Sequence, residues 1–563
     1  MPPKLTVAEY VIRRLAELGI DHAFGVPGDY SFPIDDAIEA SRKLKWVVCA
    51  NELNAAYAAD AYARRRGAAI LTTTYGVGEL SAINGMMGAK AHRVPVFHIV
   101  GAPSTRIQRQ RLITHHTLGD GTFGNFFSLS AAAAGVSAEI TPDNVVFELE
   151  RCIRAALYLS QPAFLQIAED YAKMPVPGTP VKGKKLAALS RGRSNQGELD
   201  AAVRAILSVL KQAGKAVVLP TCLVKRYGAQ EMLLAFLRRS GLPFAMTPMD
   251  RGVLPETDPQ YLGLYNGRSS FPAQVRAEVE KADVILDVGG IVLEDLNTGM
   301  WTDSFKAESL VTIGSDFVHI HGQYFTSVML PDVLAGLARL APRAASKTKG
   351  SKKLMPLAGS GRDRVSSASF YPRFQRMLQP GDNLVVETGT CMTHMNALRL
   401  PEAVGYEAQT LWGSIGWATP AALGVAIAEP GRRTILLTGD GSHQLTANEI
   451  GVMGRYGINP ILFVLNNGLY GIEDALSQRG HIYDDLAKWN YHMLPAAMGC
   501  EGWFCARITT VAELEAALKK ARSHKGACYL EVLIPEEESQ PLPGPLLDQI
   551  YKTATPKVRL AGK

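Results

Sequence analysis

Two short clusters late in the chain carry oxygen donors at a spacing that could hold a metal ion. Gly439-Asp440-Gly441-Ser442 follows the apolar run Ile435-Leu436-Leu437-Thr438, and Asn466-Asn467-Gly468 follows a second run, Ile461 to Leu465. Each run reads as a buried strand of a parallel sheet. The helical pattern between them, with Leu445, Ile450, Val452 and Met453, completes a βαβ unit. Asp440 and Asn467 then stand at the carboxyl ends of two strands, the edge where open α/β sheets bind ligands. A carboxylate and an amide oxygen form a hard pair suited to Mg2+, which takes few protein ligands and completes its octahedron with phosphate oxygens and water. Gly-Asp-Gly alone is a turn; the Asn-Asn at the end of the next strand makes it specific.

This succession resembles the thiamine-diphosphate enzymes. The resemblance implies that Asp440, Asn467 and the carbonyl of Leu469 hold a Mg2+ bridging the two phosphates of thiamine diphosphate. It further implies that Gly441, Ser442 and His443 offer backbone N–H groups to the diphosphate at a helix N-terminus. Thr388 and Thr390, in Glu387-Thr388-Gly389-Thr390, have hydroxyls that could meet phosphate, although such a turn is unremarkable alone. In Trp412-Gly413-Ser414-Ile415-Gly416, the Gly413 carbonyl would accept from the cofactor's amino group while Ile415 supports its bent shape; Ile472 completes the cofactor contacts. Near the other end of the chain, Glu52 opens a helix after Ala50-Asn51. By itself that glutamate is a helix-dipole partner. The resemblance makes it the group that bonds the pyrimidine nitrogen and promotes proton removal from the thiazolium carbon.

A subgroup is also indicated. His115-His116, Asp29 in Gly28-Asp29-Tyr30, and Glu473 shortly after Asn466-Asn467 are similar to the non-oxidative 2-oxo-acid decarboxylases of the pyruvate and indolepyruvate decarboxylase kind. On the residues alone, adjacent histidines point to opposite sides of an extended chain and make a poor metal site. The resemblance implies instead that Asp29, His115, His116 and Glu473 relay protons, with Glu473 nearest the substrate carboxylate. The reaction expected is loss of CO2 from a 2-oxo acid and release of an aldehyde. Leu296, Thr388, Met392, Ile472 and Leu476 fall at the family's pocket positions. Leucine and methionine leave room for branched or aromatic substrates, while Thr388 and Ile472 look like the pyruvate enzymes. The alternative within the superfamily is a carboligase of the acetolactate synthase type. A phosphohydrolase using Asp440 would want a second acid where Ser442 stands, and a non-catalytic relative would not need the full residue set. Tyr75-Gly76-Val77-Gly78 lacks the third glycine and the acidic partner of a dinucleotide site.

Three α/β units must position these groups. Strand-like and helical patterns alternate through residues 1–180, 197–342 and 365–563, which predicts three doubly wound parallel-sheet domains. Their order matches the family's pyrimidine-binding, central and diphosphate-binding domains. Linkers are expected from Pro175 to Lys185 and from Lys347 to Ser360. The prolines at 535, 541, 543 and 545 break any single terminal helix. The family's cofactor lies between subunits, so the expected partner is a second copy, as homodimer or homotetramer.

Composition limits the remaining classes. The chain has 563 residues, 47% hydrophobic and 20% charged, too apolar to be disordered. The net charge of +6 resides in two basic stretches, Lys182 to Arg193 with +5 and Arg343 to Arg364 with +6. The rest is mildly acidic, so nucleic acid is not expected. No apolar run reaches the ~20 residues that span a bilayer, and no signal-peptide core opens the chain. Seven cysteines without a CxxC pair fit reduced thiols in a cytoplasmic protein.

Overall fold

The computed structural model describes residues 5–177, 183–186, 192–346, 348, 354–476 and 480–534. The proline-containing tail and parts of both expected linkers lie outside these. The first sheet holds β1 (His22–Gly25), β2 (Lys45–Val48), β3 (Ala69–Thr74), β4 (Val96–Ala102), β5 (Val136–Ile140) and β6 (Ala163–Ala168). All its pairings are parallel and its order is β2-β1-β3-β4-β6-β5. Helices return the chain between successive parallel strands, as parallel pairing requires.

The second sheet holds β7 (Ala216–Pro220), β8 (Phe244–Met246), β9 (Tyr261–Leu264), β10 (Val284–Val288), β11 (Leu310–Ile313), β12 (Phe317–Ile320) and β13 (Gln323–Thr326). Its order is β13-β12-β11-β10-β7-β8-β9. Here the all-parallel expectation needs correcting at one edge, where β11, β12 and β13 run antiparallel. Their connections are too short for a crossover, so only hairpin pairing is available.

The third sheet holds β14 (Asn383–Val386), β15 (Gly405–Ala408), β16 (Thr434–Gly439), β17 (Ile461–Asn466), β18 (Phe504–Ile508) and β19 (Cys528–Leu533), all parallel, in the order β15-β14-β16-β17-β19-β18. Counted within its own sheet, each strand has the place of its counterpart in the first. Two halves of one chain thus present equivalent carboxyl edges.

These two sheets share one core through the alanine-rich helices Glu52–Arg66 and Ala418–Ala428. Small side chains let the backbones meet: a Cβ on Gly424 would lie 2.0 Å from the Ala58 carbonyl oxygen. Polar pairing closes the contact. The Trp417 indole donates to Asp60 at 2.8 Å, Asp60 pairs with Arg64 at 3.0 Å, and Arg64 lies 4.6 Å from the Trp417 ring centroid. The three domains meet at Glu407, a buried acid pairing with Arg65 and Arg64 of the first domain and Lys225 of the second. Among the described residues no helix is long and apolar enough to cross a membrane.

Candidate active site

The sharp turn after β16 makes Asp440 the first residue of the helix Asp440–Thr446. Its carboxylate is 2% exposed and accepts from the N–H groups of Gly441 at 3.0 Å and Gly468 at 2.8 Å. Burial nevertheless pushes its carboxyl up to about 7. One amide atom of Asn467 lies 3.0 Å from Asp440 Oδ1 and 2.9 Å from the Leu469 carbonyl oxygen. With the amide nitrogen there, two hydrogen bonds form. With the amide oxygen there, three acceptors converge at the spacing of one octahedral Mg2+ edge, about 3.0 Å for bonds of about 2.1 Å. The donor set therefore fits that ion. A cavity of about 660 Å3 opens beside Asp440 and Asn467.

Gly389 approaches Ile472, and Gly413 approaches Thr388. A Cβ on Gly389 would lie 3.8 Å from Ile472 Cγ2, and one on Gly413 would lie 3.8 Å from Thr388 Cγ2. Both glycines have positive φ, +105° and +62°, which favours glycine. The Thr388 hydroxyl donates to the Gln409 carbonyl at 2.8 Å, so its proton is engaged within the protein. Thr390 begins the helix Thr390–Met395, and its carbonyl faces His394 Nδ1 at 2.8 Å. The segment bearing half-buried Ile415 is tied to the Asp440 helix by Thr446, which donates to the Gly416 carbonyl at 2.7 Å. Gly441 is needed for packing, since a Cβ there would meet the Tyr470 ring at 2.6 Å. Ser442 is nearly covered. His443 has both ring nitrogens on hydroxyls, Thr419 at 2.9 Å and Tyr529 at 2.8 Å, and burial pushes its pKa down to about 3. Its ring is therefore a neutral structural element. Met392 is buried in the third-domain core, against which Leu296 of the second domain packs; Leu476 is half-buried.

At the first-domain edge, Asp29 starts a short turn after β1, and its Oδ2 lies 2.7 Å from His115 Nε2. The His115 ring stacks on Tyr30, with centroids 4.8 Å apart. His116 corrects the expectation of diverging imidazoles. Its φ of +58° bends the backbone, so the two rings lie 4.6 Å apart on one side, and nitrogen and carboxylate atoms of Asp29, His115 and His116 lie within 4.8 Å of one another. Gly76 permits that loop: a Cβ there would lie 2.3 Å from the His116 carbonyl oxygen. His116 Nδ1 is buried without a protein partner. Glu52 is the first residue of its helix, which Asn51 caps by accepting from the Asn54 N–H at 2.8 Å. Its Oε1 would lie 3.4 Å from a Cβ on Gly78, so it faces the start of the helix Val77–Ala91. Tyr30 was not foreseen; a tyrosine beside a Gly-Asp turn carries no signal in sequence.

Asp29, His115 and Glu473 are exposed. Among the described residues no hydrogen bond or ion pair within the chain links Glu473 to the histidine pair. Large apolar side chains lie bare near both edges: Val77 is 55% exposed, Leu445 51% and Ile482 87%. A cavity of about 770 Å3 among Arg64, Arg65, Lys225 and Arg226 is at the domain junction and contains none of these residues.

Residues 5–122 match the family described as "Thiamine pyrophosphate enzyme, N-terminal TPP binding domain", 203–340 its central domain, and 387–532 its C-terminal TPP binding domain. The "Alpha-keto-acid decarboxylase" of Mycobacterium avium is 36% identical over 543 residues, 95% of each chain. That of Mycobacterium ulcerans is 34% identical over 563 residues, 98% of this chain and 97% of the relative. A Rhodococcus jostii RHA1 thiamine diphosphate-dependent 4-hydroxybenzoylformate decarboxylase superposes with a TM-score of 0.79 over 95% of this chain and 100% of its own, at 18% identity, a likeness of fold.

Proposed function

Because the chain belongs to the thiamine-diphosphate-dependent 2-oxo-acid decarboxylases, we propose that it converts a broad range of 2-oxo acids, branched and aromatic ones included, to aldehydes and CO2 with Mg2+. The observation that carries the metal assignment is the meeting of Asp440, Asn467 and the Leu469 carbonyl. Bound thiamine diphosphate supplies a nucleophilic carbon and an electron sink. The protein's residues bind, orient and move protons around it.

In this reading residues 1–180 and 365–563 supply the two cofactor-facing domains and 197–342 the central one. Gly441 and Ser442 present N–H groups to the diphosphate. Thr388 and Thr390 border it; Gly413 and Ile415 hold the amino end. Glu52 shares a proton with the pyrimidine nitrogen. Asp29 orients His115, and with His116 they carry the proton that the product carbon needs. Glu473 lies beside the substrate carboxylate. Leu296, Met392, Ile472 and Leu476 with Thr388 make a largely apolar pocket, where a carboxylate loses hydration and leaving as CO2 is favoured.

The bare apolar surface around Val77 and Leu445 supports pairing of two copies, so that Glu52 of one faces Asp440 of the other in a cytoplasmic homodimer or homotetramer. The relatives are decarboxylases, and no observation favours the carboligase alternative. Relative turnover on pyruvate, 2-oxoisovalerate, phenylpyruvate and indolepyruvate tests the substrate range. Pocket differences of one methylene are worth about 1–3 kcal/mol. A broad-range enzyme therefore handles all four within roughly a hundredfold; strict preference for pyruvate would contradict the proposal.

A further inference from the structure

Asp29, His115 and His116 gather one carboxylate and two imidazoles at the first-domain edge, with atoms within 4.8 Å of one another. That donor set differs in kind from Asp440, Asn467 and the Leu469 carbonyl, which offer the metal oxygen alone. Mg2+ prefers oxygen, whereas imidazole nitrogen suits Zn2+, Ni2+ and Cu2+. Two imidazoles and one carboxylate are the protein ligands of open zinc sites, in which water takes the fourth position. An extended chain would send adjacent histidines to opposite sides. The His116 φ of +58° brings both rings to one side instead, 4.6 Å apart.

The surrounding contacts hold this arrangement before any ion arrives. The buried Tyr30 ring stacks on His115 and meets His116 edge-on, at 5.9 Å between centroids. The Tyr30 hydroxyl lies 2.7 Å from Thr114 Oγ1, and Thr117 donates to the Thr114 carbonyl at 2.6 Å. His115 Nδ1 faces Tyr30 Oη at 3.4 Å, while its Nε2 is aimed at Asp29 Oδ2, 2.7 Å away. A ligating histidine is ordinarily oriented by such a contact on its other nitrogen. His116 Nδ1 is buried with no hydrogen-bond partner among the described residues. Ligand atoms of a tetrahedral zinc site, with bonds of about 2.0–2.1 Å, stand about 3.3–3.4 Å apart. Small rotations of the exposed Asp29 and His115 side chains reach that spacing.

We propose that Asp29, His115 and His116 form a second metal site, which takes a zinc-like divalent ion and so inhibits the enzyme. As the ion takes Nε2 of neutral His115, the proton between Nε2 and Asp29 passes to Nδ1, toward the Tyr30 oxygen. With Nε2 and the carboxylate both held by the ion, neither can move the proton that the product carbon needs. The inhibition rests on the proton-carrying role proposed above; the binding rests on the geometry alone.

The test uses the full chain loaded with thiamine diphosphate and a large excess of Mg2+, which fills the Asp440 site. Zn2+ is the probe, read by titration calorimetry and by CO2 release from whichever 2-oxo acid turns over fastest. One Zn2+ per chain should bind, with turnover falling at least tenfold as it does and further Mg2+ giving no relief. His115→Gln and His116→Gln should each weaken Zn2+ binding more than tenfold, and Asp29→Asn more than threefold. Unchanged Zn2+ affinity in all three variants, inhibition that added Mg2+ reverses, or binding that leaves turnover intact overturns the proposal. A second measurement needs no variant. Co2+ in place of Zn2+ should give the intense visible absorption of a low-coordinate, nitrogen-bound ion; only the weak bands of an octahedral oxygen site also overturn it. Absence of turnover on every 2-oxo acid before any Zn2+ is added would instead strike the function proposed above.

Discussion

Asn467 and Asp440 meet amide to carboxylate, with atoms 3.0 Å apart, at the ends of adjacent strands β17 and β16. Both are nearly buried, and the Leu469 carbonyl closes the third side. Removing the charge while keeping the shape isolates the metal's share. Asp440→Asn should weaken the apparent Mg2+ affinity by more than about tenfold, roughly 1.4 kcal/mol, measured by metal titration of cofactor binding. Unchanged affinity would remove Asp440 from the metal site.

Glu473 stands exposed on the helix Gly471–Leu476, beside Ile472, which lies 3.8 Å from where a Cβ on Gly389 would sit. Glu473→Gln is expected to bind thiamine diphosphate with wild-type affinity yet lose about 10^2-fold or more of its kcat, the size of a general acid–base contribution. Fluorescence titration and steady-state rates separate the two. Near-normal kcat would exclude the assigned role.

Glu407 gives a prediction on stability and pH. Burial opposes its charge, but Lys225, Arg65, Arg226 and Arg64 hold its carboxyl well below the ordinary 4.5. Lys225, in turn, is pushed down to about 8 by the same burial; the cluster of cations around one acid explains why both shift downward. A depressed folded-state carboxyl contributes stability that is complete above the unfolded value and is lost as pH falls toward the folded one. Glu407→Gln should therefore cost about 3–5 kcal/mol near neutral pH, as breaking a buried pair does. The deficit should shrink as pH falls below about 4.5, as measured by urea unfolding at pH 7 and about pH 3. A pH-independent deficit would contradict this.

Much of the framework was legible because β16 and β17 carry the apolar runs Ile435–Leu437 and Ile461–Leu465, and burial on both faces leaves that mark. The strands β12, β13 and β18 were not, since half-exposed strands of four or five residues mix polar and apolar types without a clean period. The Asp440–Asn467 pairing was legible as spacing, because each residue follows its strand directly. The shared side of His115 and His116 was not, because it depends on one backbone angle set by the approach of Gly76.

The central claim is that catalysis depends on thiamine diphosphate held by this chain. CO2 release from a panel of 2-oxo acids, measured on protein stripped of cofactor and metal and then reconstituted, tests it most directly. The account predicts activity only when thiamine diphosphate and Mg2+ are both restored, and its loss in Glu52→Gln; equal CO2 release by the stripped protein, or none from any 2-oxo acid after reconstitution, would contradict it.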